Sequence, residues 1–324
     1  MAKSFVTAYH NLSVMLEAGV PLLRSLHTVA SGSESRVRKT FLALADGVSQ
    51  GDPLAQTMGR HPKVFDPVDV MLIQAGETSG SLAELMGLLA KWHESSQRTL
   101  RRMRSGMLLP ILILTLASFI APVPGFVLGG WRIESYLLAA VRILLLFWIP
   151  AGMIFLIVRK TPKTGPLRRL LDRIVLHVPL LGNAMYKLAI SRYCCVFHML
   201  CKAAVPVADC VSMAVAAAGN AVVGDMFRPA VDSVKAGESI CQGFSRRLPK
   251  EFIEMWSIGE ETGTLDNVTK RMAENYAEAA EFGLNEFARW FPRFVYFLIC
   301  ALMVYYVFRN AAHVMTMYDG GDYT

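Results

Sequence analysis

Charged side chains are scarce in this chain, only 18% of 324 residues, and the motifs that would mark an enzyme are missing. Its seven histidines form no HExxH pattern, so neither a zinc protease site nor a nucleophile and base pair can be argued from them. Gly76 to Ser81 has two glycines, but no lysine follows and no strand pattern precedes it, so it reads as a turn between helices and not a phosphate cradle. Thr262-Gly263-Thr264 is preceded by Glu260 and Glu261 and lacks the Asp-Lys pair of a phosphorylation loop. The cysteines, Cys194, Cys195, Cys201, Cys210, Cys241 and Cys300, contain no CxxC pair and no disulfide framework, which predicts free thiols in a reducing compartment. Cys194, His198 and Cys201 do fall at i, i+4 and i+7, one helix face bearing good zinc ligands, and a buried seam of small residues is the competing reading. No cofactor is expected. Met1 to Ser13 is polar and mixed, without the apolar core of a signal peptide, so membrane insertion is expected to be directed by internal segments.

Apolar residues, by contrast, are abundant. They make up 53% of the chain and its mean hydropathy is +0.37, more than a soluble protein of this length needs. Lys and Arg (33) exceed Asp and Glu (26), for a net charge of +7, but the basic residues crowd against the apolar stretches, which points to membrane flanks and away from nucleic acid. Met107 to Trp131 runs without a charge, longer than the roughly 20 residues that cross a bilayer as helix, and its Pro/Gly-rich second half places the first span at 107–125. A second span is expected at 135–158, interrupted only by Arg142, and a third at 290–312, bracketed by Arg293 and Arg309. Arg98, Arg101, Arg102 and Arg104 precede the first span, and Arg159, Lys160, Lys163, Arg168, Arg169 and Arg173 follow the second. Lys and Arg stay in the cytoplasm, so the N-terminus and both large polar segments lie inside and the tail 313–324, with Asp319 and Asp322 and no Lys or Arg, lies outside.

The chain also repeats itself. Ala18-Gly19-Val20-Pro21 is echoed by Ala203-Ala204-Val205-Pro206, Gly51-Asp52-Pro53-Leu54-Ala55-Gln56 by Gly237-Glu238-Ser239-Ile240-Cys241-Gln242, and Gly76-Glu77-Thr78-Ser79-Gly80-Ser81-Leu82 by Gly259-Glu260-Glu261-Thr262-Gly263-Thr264-Leu265. The three echoes keep their order at nearly constant spacing, the mark of a duplicated unit. Leu12, Met15, Leu16 and Val20, and in the second copy Phe197, Leu200, Cys201 and Val205, recur at helical spacing. Asp52 before Pro53 predicts an N-cap with first-turn proline, Ser81 with Glu84 a capping box, and Gly80 and Gly263 left-handed helix ends. An all-α membrane protein follows: two homologous cytoplasmic bundles of about six helices each at 1–105 and 175–289, a transmembrane hairpin at 106–158, a basic linker at 159–174 and a third span.

On these residues the sequence resembles the type II secretion system F family, which includes the type IV pilus inner-membrane platform proteins. The repeated turn at Gly76 to Leu82 and Gly259 to Leu265, the Ala-Gly-Val-Pro junction, Pro179-Leu180-Leu181-Gly182 before the second bundle and the domain, span, span, domain, span order carry the resemblance over nearly the whole chain. Two features depart from the family: Ala204 stands where it usually has glycine, and the chain begins almost at the first repeat. The resemblance implies a non-enzymatic, multi-pass platform in the bacterial inner membrane, under a growing pilus or pseudopilus. Its bundles would contact the hexameric assembly ATPase, its spans the pilin or pseudopilin transmembrane helices, and it would join other inner-membrane assembly components as a homo-oligomer in the lipid bilayer. Gly76, Glu77, Gly80, Gly259, Glu260 and Gly263 are candidates for an ATPase-facing spot or, alternatively, for anchoring neighbouring helices. Arg142 either snorkels or pairs with Glu134, or meets an acidic pilin residue within the membrane. Other classes stay open: a subunit of an oligomeric transporter or channel, against which the near absence of polar residues in the spans speaks, and a membrane-anchored scaffold or sensor.

Overall fold

A computed structural model describes residues 2–120 and 165–319, with single positions and short pieces between 122 and 153. The fold is all-α, and no strand occurs among the described residues. The first copy comprises α1 (Ala2–Glu17), α2 (Leu22–Ser31), α3 (Ser35–Ser49), α4 (Leu54–Gly59), α5 (Pro67–Ser79) and the start of α6 (Leu82–Ile120). After α7 (Pro166–His177), the second copy comprises α8 (Leu181–Lys202), α9 (Val207–Ala217), α10 (Ala221–Phe227), α11 (Pro229–Lys235), α12 (Ile240–Gly243), α13 (Lys250–Glu261) and the start of α14 (Leu265–Asp319). Helix for helix the copies correspond, except that α10 and α11 together stand for α3. Pro229, where α3 has Ala43, has no N–H for the helical ladder and divides the element there.

The joints repeat as faithfully as the helices. Gly19 and Ala204 (φ +77° and +56°), Gly51 and Gly237 (+92° and +79°), and Gly80 and Gly263 (+75° and +70°) are all left-handed. At the first pair the turn closes with matching bonds, Val20 N–H to Met15 O at 2.9 Å and Val205 N–H to Leu200 O at 3.1 Å. Ala204 makes this turn with a Cβ, at a conformational cost of about 1 kcal/mol that glycine does not incur.

The chain divides into two compact units, Met1–Leu100 with Asp172–Phe282, and Arg101–Leu171 with Gly283–Thr324. In the first, both copies share one body, and α5 packs against α8 and α9. Lys202 Nζ meets Glu84 Oε1 at 2.8 Å on the border between the copies. Their interiors differ. Copy two is filled by Tyr193, Phe197, Phe227, Phe244, Phe252 and Trp256, with Tyr193 stacked on Phe227 at 3.9 Å and Trp256 edge-on to Phe244 at 5.2 Å. Copy one packs Leu12, Leu26, Phe41, Leu44, Ile73 and Leu89, around a buried carboxylate described below.

In the second unit, large apolar side chains stand exposed on the later turns of α6 (Leu112, Leu116, Phe119, Ile120) and of α14 (Phe294, Phe297, Val304, Tyr305, Phe308). Among the described residues no helix is long and apolar enough to cross a membrane. Of the expected first span at 107–125, residues 107–120 form the end of α6, and the third, 290–312, lies within α14, whereas most of the second, 135–158, lies outside the described residues.

Two local expectations fail. Asp52 does not cap α4. Pro53 occupies that position in an extended conformation (ψ 144°), and Asp52 instead pairs with Arg60 at 2.7 Å. Nor do Ser81 and Glu84 form a capping box: Ser81 shares a hydrogen bond with Ser79 at 2.6 Å, and Glu84 is drawn away to Lys202. Only Glu84 is drawn off by a partner distant in sequence, Lys202; Ser81 and Asp52 turn to near neighbours outside the expected cap.

Candidate functional site

The repeated Gly-Glu-x-x-Gly turn is a device of three parts. Gly76 lies where α5 meets the start of α6, and a Cβ there would stand 3.0 Å from Leu85 Cδ1 and 3.1 Å from Leu82 Cα. Gly259 has the same role between α13 and α14, its Cβ position lying 3.1 Å from Val268 Cβ. Four residues on, Gly80 and Gly263 take the left-handed turn that sends the chain into the long helix.

Between the glycines, each glutamate reaches across to a helix about twenty residues earlier. Glu77 Oε1 accepts from the Leu54 amide at 2.6 Å and Oε2 from the Ala55 amide at 3.0 Å, the first two amides of α4. Glu260 repeats the bond on α12, accepting from Ile240 N–H at 2.8 Å and Cys241 N–H at 3.4 Å, with Ser239 Oγ donating at 2.8 Å. The four-residue α12 and six-residue α4 are too short to hold by propagation alone. A carboxylate at the amino end satisfies orphan donors and lies at the positive end of the helix dipole. Thus the second and third echoes in the sequence are two sides of one contact. Beside Glu77 an open groove of about 550 Å³ runs between α4 and α5, walled by Pro53, Gln56, Val70, Gln74 and Thr78.

A second polar cluster has no counterpart in copy two. Asp69, buried on α5, receives His93 Nε2 at 3.0 Å to each carboxylate oxygen and Tyr9 OH at 3.4 Å, while the Tyr9 ring stacks on the His93 ring at 5.5 Å. Burial alone would push the His93 imidazole down, but the hydrogen bonds and charge of Asp69, with Asp66 adding, carry it above the usual histidine value. Burial first, then Asp69, pushes the Tyr9 phenol well up. At the equivalent places copy two has Cys194, Phe252 and Tyr276, the last two in ring contact at 6.2 Å. Sequence reading missed this cluster because residues 9, 69 and 93 share no spacing pattern.

Cys194, His198 and Cys201 lie along α8. Cys194 is buried, and burial pushes its thiol well up. His198 Nδ1–H donates to Asp266 O at 2.8 Å, and burial moves its imidazole below the usual histidine value. Cys210, near Cys201, donates its Sγ–H to Val205 O at 3.3 Å. Among the described residues no group of three or more His, Cys, Asp or Glu is arranged to hold a metal ion. Arg142 is helical and exposed, on one of the short pieces between 122 and 153.

Comparison with known proteins completes the site. The family model described as "Type II secretion system (T2SS), protein F" matches residues 8–129 and 193–308, two stretches that begin at equivalent turns of α1 and α8. The chain belongs to the type II secretion system protein F family. Within that family it is similar to the type IV pilus assembly protein PilC of Pseudomonas aeruginosa, 29% identical over 83% of this chain and 78% of the relative. It is 25% identical to the type II secretion system protein F of Vibrio cholerae over 94% of this chain and 80% of that protein. The PilC of Thermus thermophilus is 28% identical over 82% and 70%. Each family match spans one bundle, one glutamate-capped joint and the long helix that follows it, so the joint is built into both halves.

Proposed function

We propose that the chain is the inner-membrane platform of a type II secretion or type IV pilus-like assembly machine, coupling a cytoplasmic assembly ATPase to insertion of pilin or pseudopilin subunits into a growing fibre. The observation that carries this is the family match over both copies, joined with relatives named for pilus assembly and for type II secretion. The bundles at 1–105 and 175–289 are cytoplasmic, the spans at 107–125, 135–158 and 290–312 cross the inner membrane, and the C-terminus is periplasmic. Exposed apolar side chains such as Phe294, Phe297 and Phe308 on α14 support lipid contact along the third span. The chain itself is not an enzyme. It transmits a shape change, as packed helical bundles do when one element rotates or slides against another.

Glu77 and Glu260, with the turn glycines, hold α4 and α12 in place, and the groove beside Glu77 offers the ATPase an acidic, partly apolar docking spot. Arg142 meets an acidic residue of the pilin helix within the bilayer, where a bare charge is costly without a partner. Copurification of the full chain with its assembly ATPase tests the central reading, and its absence in a fibre-producing cell would overturn it. Arg142→Leu is expected to block fibre assembly while leaving the ATPase bound.

A further inference from the structure

Two thiols meet at the joint of α8 and α9, where the first copy has none. Cys201 stands in the last turn of α8 and Cys210 in the first turn of α9, and the left-handed Ala204 folds the chain back between them. Ala204 N–H donates to Cys201 O at 3.0 Å and Val205 N–H to Leu200 O at 3.1 Å, which closes the turn. Cys210 Sγ–H reaches back to Val205 O at 3.3 Å, and its sulfur comes to lie beside that of Cys201.

The first copy shows that packing does not require the pair. Its joint has Leu16 and Ser25 at the equivalent places. Ser25 Oγ donates to Val20 O at 3.4 Å and to Pro21 O at 3.1 Å, much as Cys210 does to Val205 O. Leu16, like Cys201, is partly buried against the core. A leucine and a hydroxyl therefore build the same turn, and copy two puts sulfur at both positions. The two sulfurs are unlike. Cys210 is fully buried, whereas Cys201 is half-buried and open to a small solute. The Cys210 thiol beside it holds Cys201 below the usual cysteine value, against the opposing effects of burial and Asp266. By contrast, burial pushes Cys194 well up and Cys195 and Cys241 up to about 12.

A solvent-reachable thiol that ionises readily, with a second thiol at hand, is the arrangement in which oxidation stops at a disulfide. We propose that Cys201 and Cys210 are a modification site for hydrogen peroxide, which joins them in a reversible disulfide across the α8–α9 joint. The Cys201 thiolate attacks one peroxide oxygen, the O–O bond breaks, and the hydroxide released takes up the proton lost by Cys201 and leaves as water. The Cys210 sulfur then attacks the sulfenic acid formed on Cys201. An S–S bond forms, the S–O bond breaks, and a second water leaves with the Cys210 proton. Two thiols are oxidised and one peroxide is reduced. A dithiol restores both by exchange, itself ending as a disulfide. The bond ties down the end of α8, where Lys202 meets Glu84 of copy one and His198 meets Asp266 O at the start of α14, both at 2.8 Å. It goes beyond the platform role and does not depend on it.

The test exposes the full chain in detergent, first reduced, to graded hydrogen peroxide and then blocks free thiols with N-ethylmaleimide. Trypsin cuts after Arg192, Lys202 and Lys235, so Cys201 and Cys210 leave on different peptides, 193–202 and 203–235, and a bond between them appears in mass spectrometry as one linked species. Fragmentation distinguishes Cys201 from Cys194 and Cys195 on the first peptide. The Cys201–Cys210 species is expected to rise at least about tenfold over the untreated chain and to vanish with dithiothreitol. Cys210→Ser and Cys201→Leu borrow the residues of copy one, so the fold persists in both. In Cys210→Ser the sulfenic acid has no thiol to meet, and dimedone should label Cys201 at least about tenfold more than Cys241. Cys201→Leu should abolish the linked species. Recovery of Cys201 and Cys210 as separate maleimide adducts at peroxide doses that oxidise methionine would overturn the proposal. So would preferential linkage of Cys210 to Cys194, Cys195 or Cys241, or equal dimedone labelling of Cys201 and Cys241.

Discussion

Replacing Glu77 and Glu260 by glutamine separates helix anchoring from partner contact, and the two sites should not respond alike. At residue 77 both carboxylate oxygens accept from amides, at 2.6 and 3.0 Å. Glutamine has one accepting oxygen, so its NH2 would face the second N–H, donor against donor. Loss of one charge-assisted bond, at about 1.5–3 kcal/mol when the group stays buried, is softened here by half-exposure. Loss of the charge at a helix start adds about 0.3–1 kcal/mol. A net cost of about 1–2 kcal/mol, or roughly 3–6 °C in Tm for a body of this size, is expected for Glu77→Gln. At residue 260 the second amide is already distant, 3.4 Å, and the neighbouring donor is the Ser239 hydroxyl, which can rotate to accept from an amide NH2. Glu260→Gln should therefore cost under about 1 kcal/mol. Thermal unfolding of the full chain in detergent, followed by circular dichroism, reads both values, and ATPase binding is measured on the same samples. A Glu77→Gln chain melting within a degree of the native protein, or a larger loss at 260 than at 77, would refute the capping argument.

Ala204→Gly should raise stability by about 1 kcal/mol, or roughly 2–4 °C in Tm, by relieving a left-handed alanine, and Gly19→Ala should lower it by a similar amount. Tyr193 OH is fully buried without a hydrogen-bond partner, so Tyr193→Phe should keep the stacking on Phe227 and leave stability unchanged or higher by about 1 kcal/mol in denaturant titration. Because Asp69 raises the His93 imidazole above its unfolded value, their bond stabilises fully below the ordinary histidine range and is lost as pH rises through the raised value. Tm should accordingly fall from about pH 6 to pH 8.5, His93→Gln should flatten that slope, and Asp69→Asn should cost about 2–3 kcal/mol at pH 6.

What the sequence made legible was the local and the periodic. The glycines at 80 and 263 end their helices in left-handed turns as expected, because that conformation is set by the residue itself. The duplication was readable from three short echoes, and the residues the family model matches reproduce it. Local capping rules failed at Asp52 and at Ser81 with Glu84, since those rules rank only the residues of the expected cap, while Ser79 and Arg60 lie just outside it and Glu77 and Lys202 arrive from elsewhere. The Asp69 cluster was invisible for a related reason: three single residues on α1, α5 and α6 meet only after the bundle has closed. That Leu72 is buried and Met255 open could not be read from patterning either, as both sit at apolar-compatible positions of equivalent helices.

The unlike interiors of the twin bundles bear on how such a chain folds at all. Two near-identical helix sets on one polypeptide invite exchange, with α5 settling where α13 belongs. That error would set the Asp69 carboxylate at the place of Phe252, among Phe227, Phe244 and Trp256, with neither His93 nor Tyr9 to meet it. An unpartnered charge in such surroundings costs several kcal/mol, enough to make the crossed arrangement a minor species. The buried Asp69 cluster of the first bundle thus works as an address label, telling each half of a duplicated chain which helices are its own.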